Sequence, residues 1–297
     1  MILDCLNIRD EMIKDIEIKN KVYGKIDIGR AVFIQVGNRA DSNSYIKSKK
    51  NLCDKYGYKY VHIQFEEKIT EKELLKEIDR FNNDEECVGI MVQLPLPKHI
   101  KEETIINAIK PEKDIDGFTL INKGKLVVGD KTGIIPCTPL GISKLLEHVN
   151  FDCKGKKVVV VGRSNIVGKP MAQLLINKGA TVISCNSATK PETLKELILN
   201  CDLVITAMDK PNFFDVEYFG RENLNKLNNI FAIDVGIFKD EQTGRLTGNI
   251  SKELYNYFEY ITPVPKGVGP LTVAGVLMNI KKCYQLQNKK GRRYENI

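Results

Sequence analysis

Nowhere in these 297 residues does an apolar run approach the ~18 residues that a membrane-spanning helix requires. The amino terminus, with Asp4, Arg9, Asp10 and Glu11, also lacks the apolar stretch of a secretory signal. A cytoplasmic protein with no membrane partner is expected. Cysteine is present but unpatterned: Cys5, Cys53, Cys87, Cys137, Cys153, Cys185, Cys201 and Cys283 form no CxxC motif and no cluster with histidine. They read as reduced core thiols, with neither a metal site nor a disulfide framework. Dense basic sequence is confined to Lys289, Lys290, Arg292 and Arg293, and elsewhere lysines are interspersed with acids despite a net charge of +7. That pattern argues against a nucleic-acid partner and reads the tail as a solvated end. The mild surplus suits a polyanionic small substrate. Internal repeats and low-complexity linkers are missing as well.

What is there is ordinary for a globular protein, with 42% hydrophobic and 28% charged residues and a length that accommodates two domains. Apolar, strand-like runs at 31–36, 60–65 and 88–93 alternate with helical patterns at 42–56 and 70–81, the arrangement of βαβ units. Thr70 followed by Glu73 predicts a capping box, and Thr138 with Pro139 predicts a cap before a first-turn proline. A second α/β series follows the turn-rich stretch 130–139, with strands predicted at 157–161, 181–184, 203–206 and 230–235. This is the grammar of a doubly wound nucleotide-binding domain. Residues 262–270, rich in proline and glycine, predict a rigid loop. One last helix, 271–286, then packs back on the first domain. The fold class is α/β in two domains, 1–138 with 272–297 and 139–271.

Several local constellations can carry chemistry. Tyr45 and Lys49 lie four apart, one turn along one helix face, a spacing that an ordinary amphipathic surface also produces. The pair resembles the Tyr-x-x-x-Lys of short-chain dehydrogenases but lies upstream of the glycine turn at Gly162 rather than after it. Gln93 ends an apolar strand, where α/β folds place active-site groups, or it simply satisfies loop backbone. The turn from Pro111 to Gly117 carries the carboxylates Asp114 and Asp116, which a solvated loop would also account for. Residues Gly162-Arg163-Ser164-Asn165-Ile166-Val167-Gly168 lack the middle glycine of GxGxxG but keep a tight turn between a strand and a helix amino terminus ready for phosphate. Arg163 beside it is either a surface arginine or a phosphate ligand.

Taken in one order, Val36-Gly37, Ser42 to Lys49, Val92 to Leu96, Pro111 to Gly117, Ile135 to Pro139, Val160 to Pro170 and Thr262 to Thr272 resemble the bifunctional methylenetetrahydrofolate dehydrogenase/cyclohydrolase family over residues 30–285. The resemblance implies an amino-terminal α/β domain, a Rossmann-like NAD(P)-binding domain, a folate held in the cleft between them and a homodimer. It makes Lys49 the catalytic lysine, Tyr45 the tyrosine that stacks on folate, Gln93 the glutamine beside the lysine and Asp116 the aspartate that binds the pterin. Pro263 and Gly267 would line the folate. Gly162, Arg163, Ser164, Ile166, Gly168, Ser187 and Ile237 would hold the cofactor, NADP with NAD as the alternative. The substrates implied are tetrahydrofolate derivatives, polyglutamylated forms included. Departures from the family pattern gather in the nucleotide domain: Asn186 for histidine, Ala188 for a basic residue, Asp209 for glycine, Phe238 for asparagine, Asn249 for aspartate and Lys266 for glycine. They leave two other readings open, a monofunctional cyclohydrolase with a degenerate nucleotide domain and a catalytically silent folate-binding protein.

Overall fold

The computed structural model describes residues 1–22, 28–240 and 244–291 and divides into two units, Ile13–Cys137 with Val273–Ile297, and Met1–Met12 with Thr138–Thr272. In chain order the elements of the amino-terminal half are α1 (Cys5–Val22), β1 (Arg30–Val36), α2 (Ala40–Tyr56), β2 (Lys59–Phe65), α3 (Glu71–Asn82), β3 (Cys87–Val92), α4 (Glu102–Asn107) and α5 (Leu120–Val127). Then follow α6 (Cys137–His148), β4 (Lys157–Val161), α7 (Gly168–Asn177), β5 (Thr181–Cys185), α8 (Pro191–Leu199), β6 (Leu203–Thr206) and α9 (Val216–Phe219). The chain closes with β7 (Phe231–Asp234), β8 (Phe238–Lys239), β9 (Leu246–Thr247), β10 (Tyr260–Ile261) and α10 (Val268–Gly291).

The first unit is built on a parallel sheet of order β2-β1-β3. Its β3 strand is buried at every position, which is why Cys87–Val92 reads as a continuous apolar run rather than an alternation. Val32, Ile34 and Val36 of β1 and Ile90 and Val92 of β3 pack with Leu74, Ile78 and Phe81 of α3. That helix starts where its chemistry predicts: Thr70 Oγ1 accepts from the Glu73 N–H at 3.2 Å, and the Glu73 carboxylate accepts from the Thr70 N–H at 2.9 Å. From Val273 onward α10 belongs to this unit, burying Ala274, Val276, Leu277, Ile280 and Cys283.

The second unit is a parallel sheet of order β10-β7-β6-β4-β5, with Val158 to Val161 of β4 buried on both faces. The order reverses direction at β4, so the carboxyl ends of β4 and β6 flank the topological switch point where such sheets bind ligands. All eight cysteines are buried with free thiols. Among the described residues no helix is long and apolar enough to cross a membrane.

The structure departs from the sequence reading in places. Residues 1–12, expected within the first domain, join the second unit: the Leu3 N–H donates to the Ile261 carbonyl and the Ile261 N–H to the Met1 carbonyl, both at 2.9 Å. The edge strand β10 has open ladder groups, and the amino-terminal segment fills them. Thr138 does not cap α6, which begins at Cys137, and its hydroxyl lies 2.9 Å from that of Thr272 instead. Pro270 does not end a loop, because α10 already begins at Val268, and a proline in the first helical turn loses no intrahelical hydrogen bond. Of the basic tail, Arg292 and Arg293 lie outside the described residues.

Lys266 sits at φ 74°, a left-handed backbone conformation, between Pro265 and Gly267. A residue with a Cβ there costs about 1 to 2 kcal/mol, against which glycine loses about 0.5 to 1 kcal/mol in chain entropy. Lys266→Gly should therefore raise stability by up to ~1 kcal/mol. Urea unfolding of the two proteins checks this, and a less stable glycine variant would contradict it.

Candidate active site

The helix α2 carries Tyr45 and Lys49 one turn apart, and the end of β3 carries Gln93. Lys49 is buried, 8% exposed, and its Nζ donates to Gln93 Oε1 at 2.9 Å. The glutamine is held on both sides of that contact. Its backbone N–H extends the ladder to the Ile34 carbonyl at 2.8 Å, and its Nε2 donates to the Leu94 carbonyl at 2.7 Å, which leaves Oε1 turned toward the lysine. Lys49 makes no other hydrogen bond among the described residues, so its Nζ keeps hydrogen-bonding capacity for a ligand. Tyr45 leaves 39% of its surface exposed, a flat apolar face on the same helix.

Asp116 completes this group. It lies deep in the unit with one side still accessible. Burial pushes its carboxyl up to about 7; Lys49 opposes that push and Asp114 adds to it. The loop that presents it is fixed by the neighbouring Asp114, which accepts from the Gly117 N–H at 2.9 Å, the Thr119 N–H at 2.8 Å and Asn122 Nδ2 at 2.9 Å. Asn279 of α10 adds a second tie, donating to the carbonyls of Ile115 at 2.8 Å and Ile135 at 2.9 Å. Gly117 is at φ 71°, and a side chain there would meet the Ile134 carbonyl. Burial also pushes the Cys137 thiol well up, so a neutral sulfur borders the site.

In the second unit the turn from Gly162 to Gly168 lies at the carboxyl end of β4. Gly162 is at φ 131°, where a Cβ would collide with the Ala207 carbonyl, and a Cβ on Gly168 would collide with the carbonyl of Gly162. Backbone alone fits there. Ser164 Oγ accepts from the N–H groups of Val167 at 3.1 Å and Gly168 at 3.3 Å, holding the turn over the start of α7. A glycine-walled turn at a helix amino terminus fits the diphosphate of a dinucleotide. Arg163 is exposed beside it and forms no ion pair among the described residues. Ile166 and Ile237 leave 40% and 48% of their surfaces open, apolar area that a nucleotide can cover. Ser187 is exposed in a turn after β5, where Asn186 Oδ1 accepts from the Ala188 N–H at 3.0 Å. Asn186, found in place of the expected histidine, is thus a turn former. Gly267 packs against the Pro263 carbonyl, too close for any Cβ.

A buried carboxylate organises this unit too. Asp234, at the end of β7, accepts from the N–H groups of Gly236 and Asn249 at 3.0 Å, from Ile250 N–H at 2.8 Å and from Thr206 Oγ1 at 3.2 Å. Burial pushes its carboxyl up to about 6 against the pull of those bonds. The structure brings Lys49, Gln93 and Asp116 into one group with Tyr45 on the same helix, and gathers the predicted cofactor residues with Pro263 and Gly267 in the other unit. Sequence reasoning missed Asp114, Asn122 and Asn279 as the supports of Asp116. Only Asp114 carried a signal, as the other carboxylate of its turn.

Two models of one family match the chain in succession. The family model for the tetrahydrofolate dehydrogenase/cyclohydrolase catalytic domain matches residues 5–116, and that for the NAD(P)-binding domain of the same family matches residues 136–288. A relative from Bacillus cytotoxicus, the bifunctional protein FolD, is 45% identical over 268 residues, covering 90% of this chain and 89% of the relative. The crystal structure of the bifunctional FolD methylenetetrahydrofolate dehydrogenase/cyclohydrolase from Campylobacter jejuni aligns with a TM-score of 0.88 and 38% identity, covering 96% of this chain and 98% of that one. The Trypanosoma brucei methylenetetrahydrofolate dehydrogenase-cyclohydrolase, solved with NADP and an inhibitor, aligns with a TM-score of 0.84 and 32% identity, over 96% and 97% of the two chains. The buried Lys49–Gln93 pair beside Asp116, the backbone-walled turn at Gly162 and these matches along both units lead to one conclusion: the chain belongs to the tetrahydrofolate dehydrogenase/cyclohydrolase family.

Proposed function

We propose that this chain oxidises 5,10-methylenetetrahydrofolate to the 5,10-methenyl cation with NADP and hydrolyses that cation to 10-formyltetrahydrofolate, with Lys49, Gln93, Tyr45 and Asp116 acting on the folate. The observation that carries the reading is the hydrogen bond of the buried Lys49 to Gln93 within the electrostatic reach of Asp116. A buried lysine whose one hydrogen bond goes to a glutamine, with a carboxylate in electrostatic reach, has no evident structural task. Polyglutamylated substrates, a homodimer and a cytoplasmic location belong to the same reading and rest on the resemblance.

The two half-reactions ask different things of these residues. Bound NADP supplies the hydride acceptor, and the protein has to orient the methylene carbon toward it, which is a positioning task. Tyr45 offers a flat face for the folate, and Asp116 in its ionised form accepts from the amino-pyrimidine edge. In the hydrolytic half, water attacks the methenyl carbon while the Lys49 amine takes its proton. The amine then returns that proton to N5 as the carbon–N5 bond breaks, and the carbinol proton leaves to solvent with formation of the formyl group. Gln93 keeps the amine aimed throughout. Backbone groups of the Gly162 turn would hold the diphosphate, and Arg163 with Ser187 the ribose 2′-phosphate, which favours NADP over NAD. A cyclohydrolase with a degenerate nucleotide domain is the competing reading, and direct titration of the protein with NADP separates the two.

Lys49→Met should lower methenyltetrahydrofolate hydrolysis by roughly 10² to 10⁴, the usual worth of acid/base help, while NADP affinity is kept. Hydrolysis at the parental rate would make Lys49 a structural residue. Because the Asp116 carboxyl is raised to about 7, it loses its charge as pH falls through neutrality. The folate KM of the parent should therefore climb about tenfold per unit below that point, and in Asp116→Asn it should be high and nearly flat with pH. A parental KM that does not change between acid and neutral pH would count against this role. Arg163→Ala should cut the ratio of kcat/KM for NADP over NAD by at least about tenfold, with NAD kinetics nearly unchanged. An unaltered ratio would remove Arg163 from the phosphate site.

A further inference from the structure

We infer that Asn249 is a positioning residue for the cofactor, and that it forms a matched pair with Asp209. Asn249 is fully buried behind the loop that leaves β6. Its Nδ2 donates to the carbonyls of Met208 at 2.9 Å and Lys210 at 2.7 Å, its Oδ1 accepts from the Met208 N–H at 3.3 Å, and its own N–H is tied to Asp234 at 3.0 Å. Every polar group of the side chain is thus spent on one short loop. That loop starts at Ala207, whose carbonyl fills the space beside Gly162, so its height sets the floor of the glycine turn. The inference rests on the cofactor reading of that turn.

The chemistry of the pair follows from the backbone. Asp209 is exposed at the tip of the loop and is not among the residues at positive φ. With that backbone the carbonyls on either side of Asp209 both point at position 249, and an amide can donate to both. A carboxylate of the same shape has no donor and would face those carbonyl oxygens. Glycine at 209 would open the left-handed conformations that let the peptide turn and present an N–H inward, which is what a carboxylate needs.

The test is a cycle of Asn249→Asp, Asp209→Gly and the double variant, each titrated with NADP and assayed for hydrolysis of methenyltetrahydrofolate without cofactor. Asn249→Asp leaves buried carbonyls unsatisfied and should weaken NADP binding at least about tenfold, raising the NADP KM far more than it lowers kcat. Cofactor-free hydrolysis should stay within about twofold of the parent, which shows that the protein has folded. Adding Asp209→Gly should bring NADP affinity back to within about threefold of the parent, a coupling that independent sites would not show. Should Asn249→Asp fail to fold, Asn249→Ala, which removes the tie without adding charge, reports on the same affinity. NADP affinity unchanged in Asn249→Asp, no rescue in the double variant, or hydrolysis lost in parallel with NADP binding would each overturn the inference. A parent that does not bind NADP would overturn the cofactor reading itself.

Discussion

Where a strand of a parallel sheet ends, the chain turns away from its ladder, and the backbone N–H and carbonyl groups of the turn must find new partners or be buried without them. The rest of this structure depends on how that constraint is met. In the first unit Asp114 collects the N–H groups of Gly117 and Thr119 and the amide of Asn122; in the second, Asp234 collects those of Gly236, Asn249 and Ile250. Each carboxylate fixes a loop that could not hold its shape through apolar packing, and each of those loops carries a residue or a turn assigned to function. The cost is a buried charge, visible in the Asp234 carboxyl raised to about 6 despite its donors.

Support and function are divided between neighbouring residues. Asp114 is saturated with donors and can do little but hold the loop, whereas Asp116, two residues on, keeps one side accessible, has fewer partners and is raised to about 7. That difference leaves Asp116 with unused acceptor capacity, the condition for recognising a ligand. Gln93 shows the same economy: its Nε2 is committed to the Leu94 carbonyl so that its Oε1 has a single direction left, toward Lys49. Orientation is achieved by exhausting the alternatives.

Much of this was legible in the sequence wherever the signal is local. The strands Lys157–Val161 and Leu203–Thr206 form around the apolar runs 158–161 and 203–205, because a parallel strand buried on both faces needs a continuous run. The capping box at Thr70 and the one-turn spacing of Tyr45 and Lys49 depend only on neighbours within a turn of helix. Long-range pairings carry no such mark. Nothing near Asn279 announces that it will close the loop of Asp116 more than 160 residues upstream, and nothing in the first residues announces a strand partner at Ile261. Nor does a turn containing Asp114 and Asp116 reveal which carboxylate will take up backbone donors, since that is settled by α5 and α10. Resemblance to a family named the functional residues; the geometry explains what holds them.

The central claim, that one chain carries both halves of the conversion, is tested most directly with the purified protein and two linked assays. One follows formation of methenyltetrahydrofolate from the methylene form with NADP and with NAD, and the other follows hydrolysis of the methenyl form with no nucleotide present. The account predicts turnover in both, with NADP preferred in the first. Hydrolysis without oxidation by either nucleotide, or oxidation without hydrolysis, would contradict it.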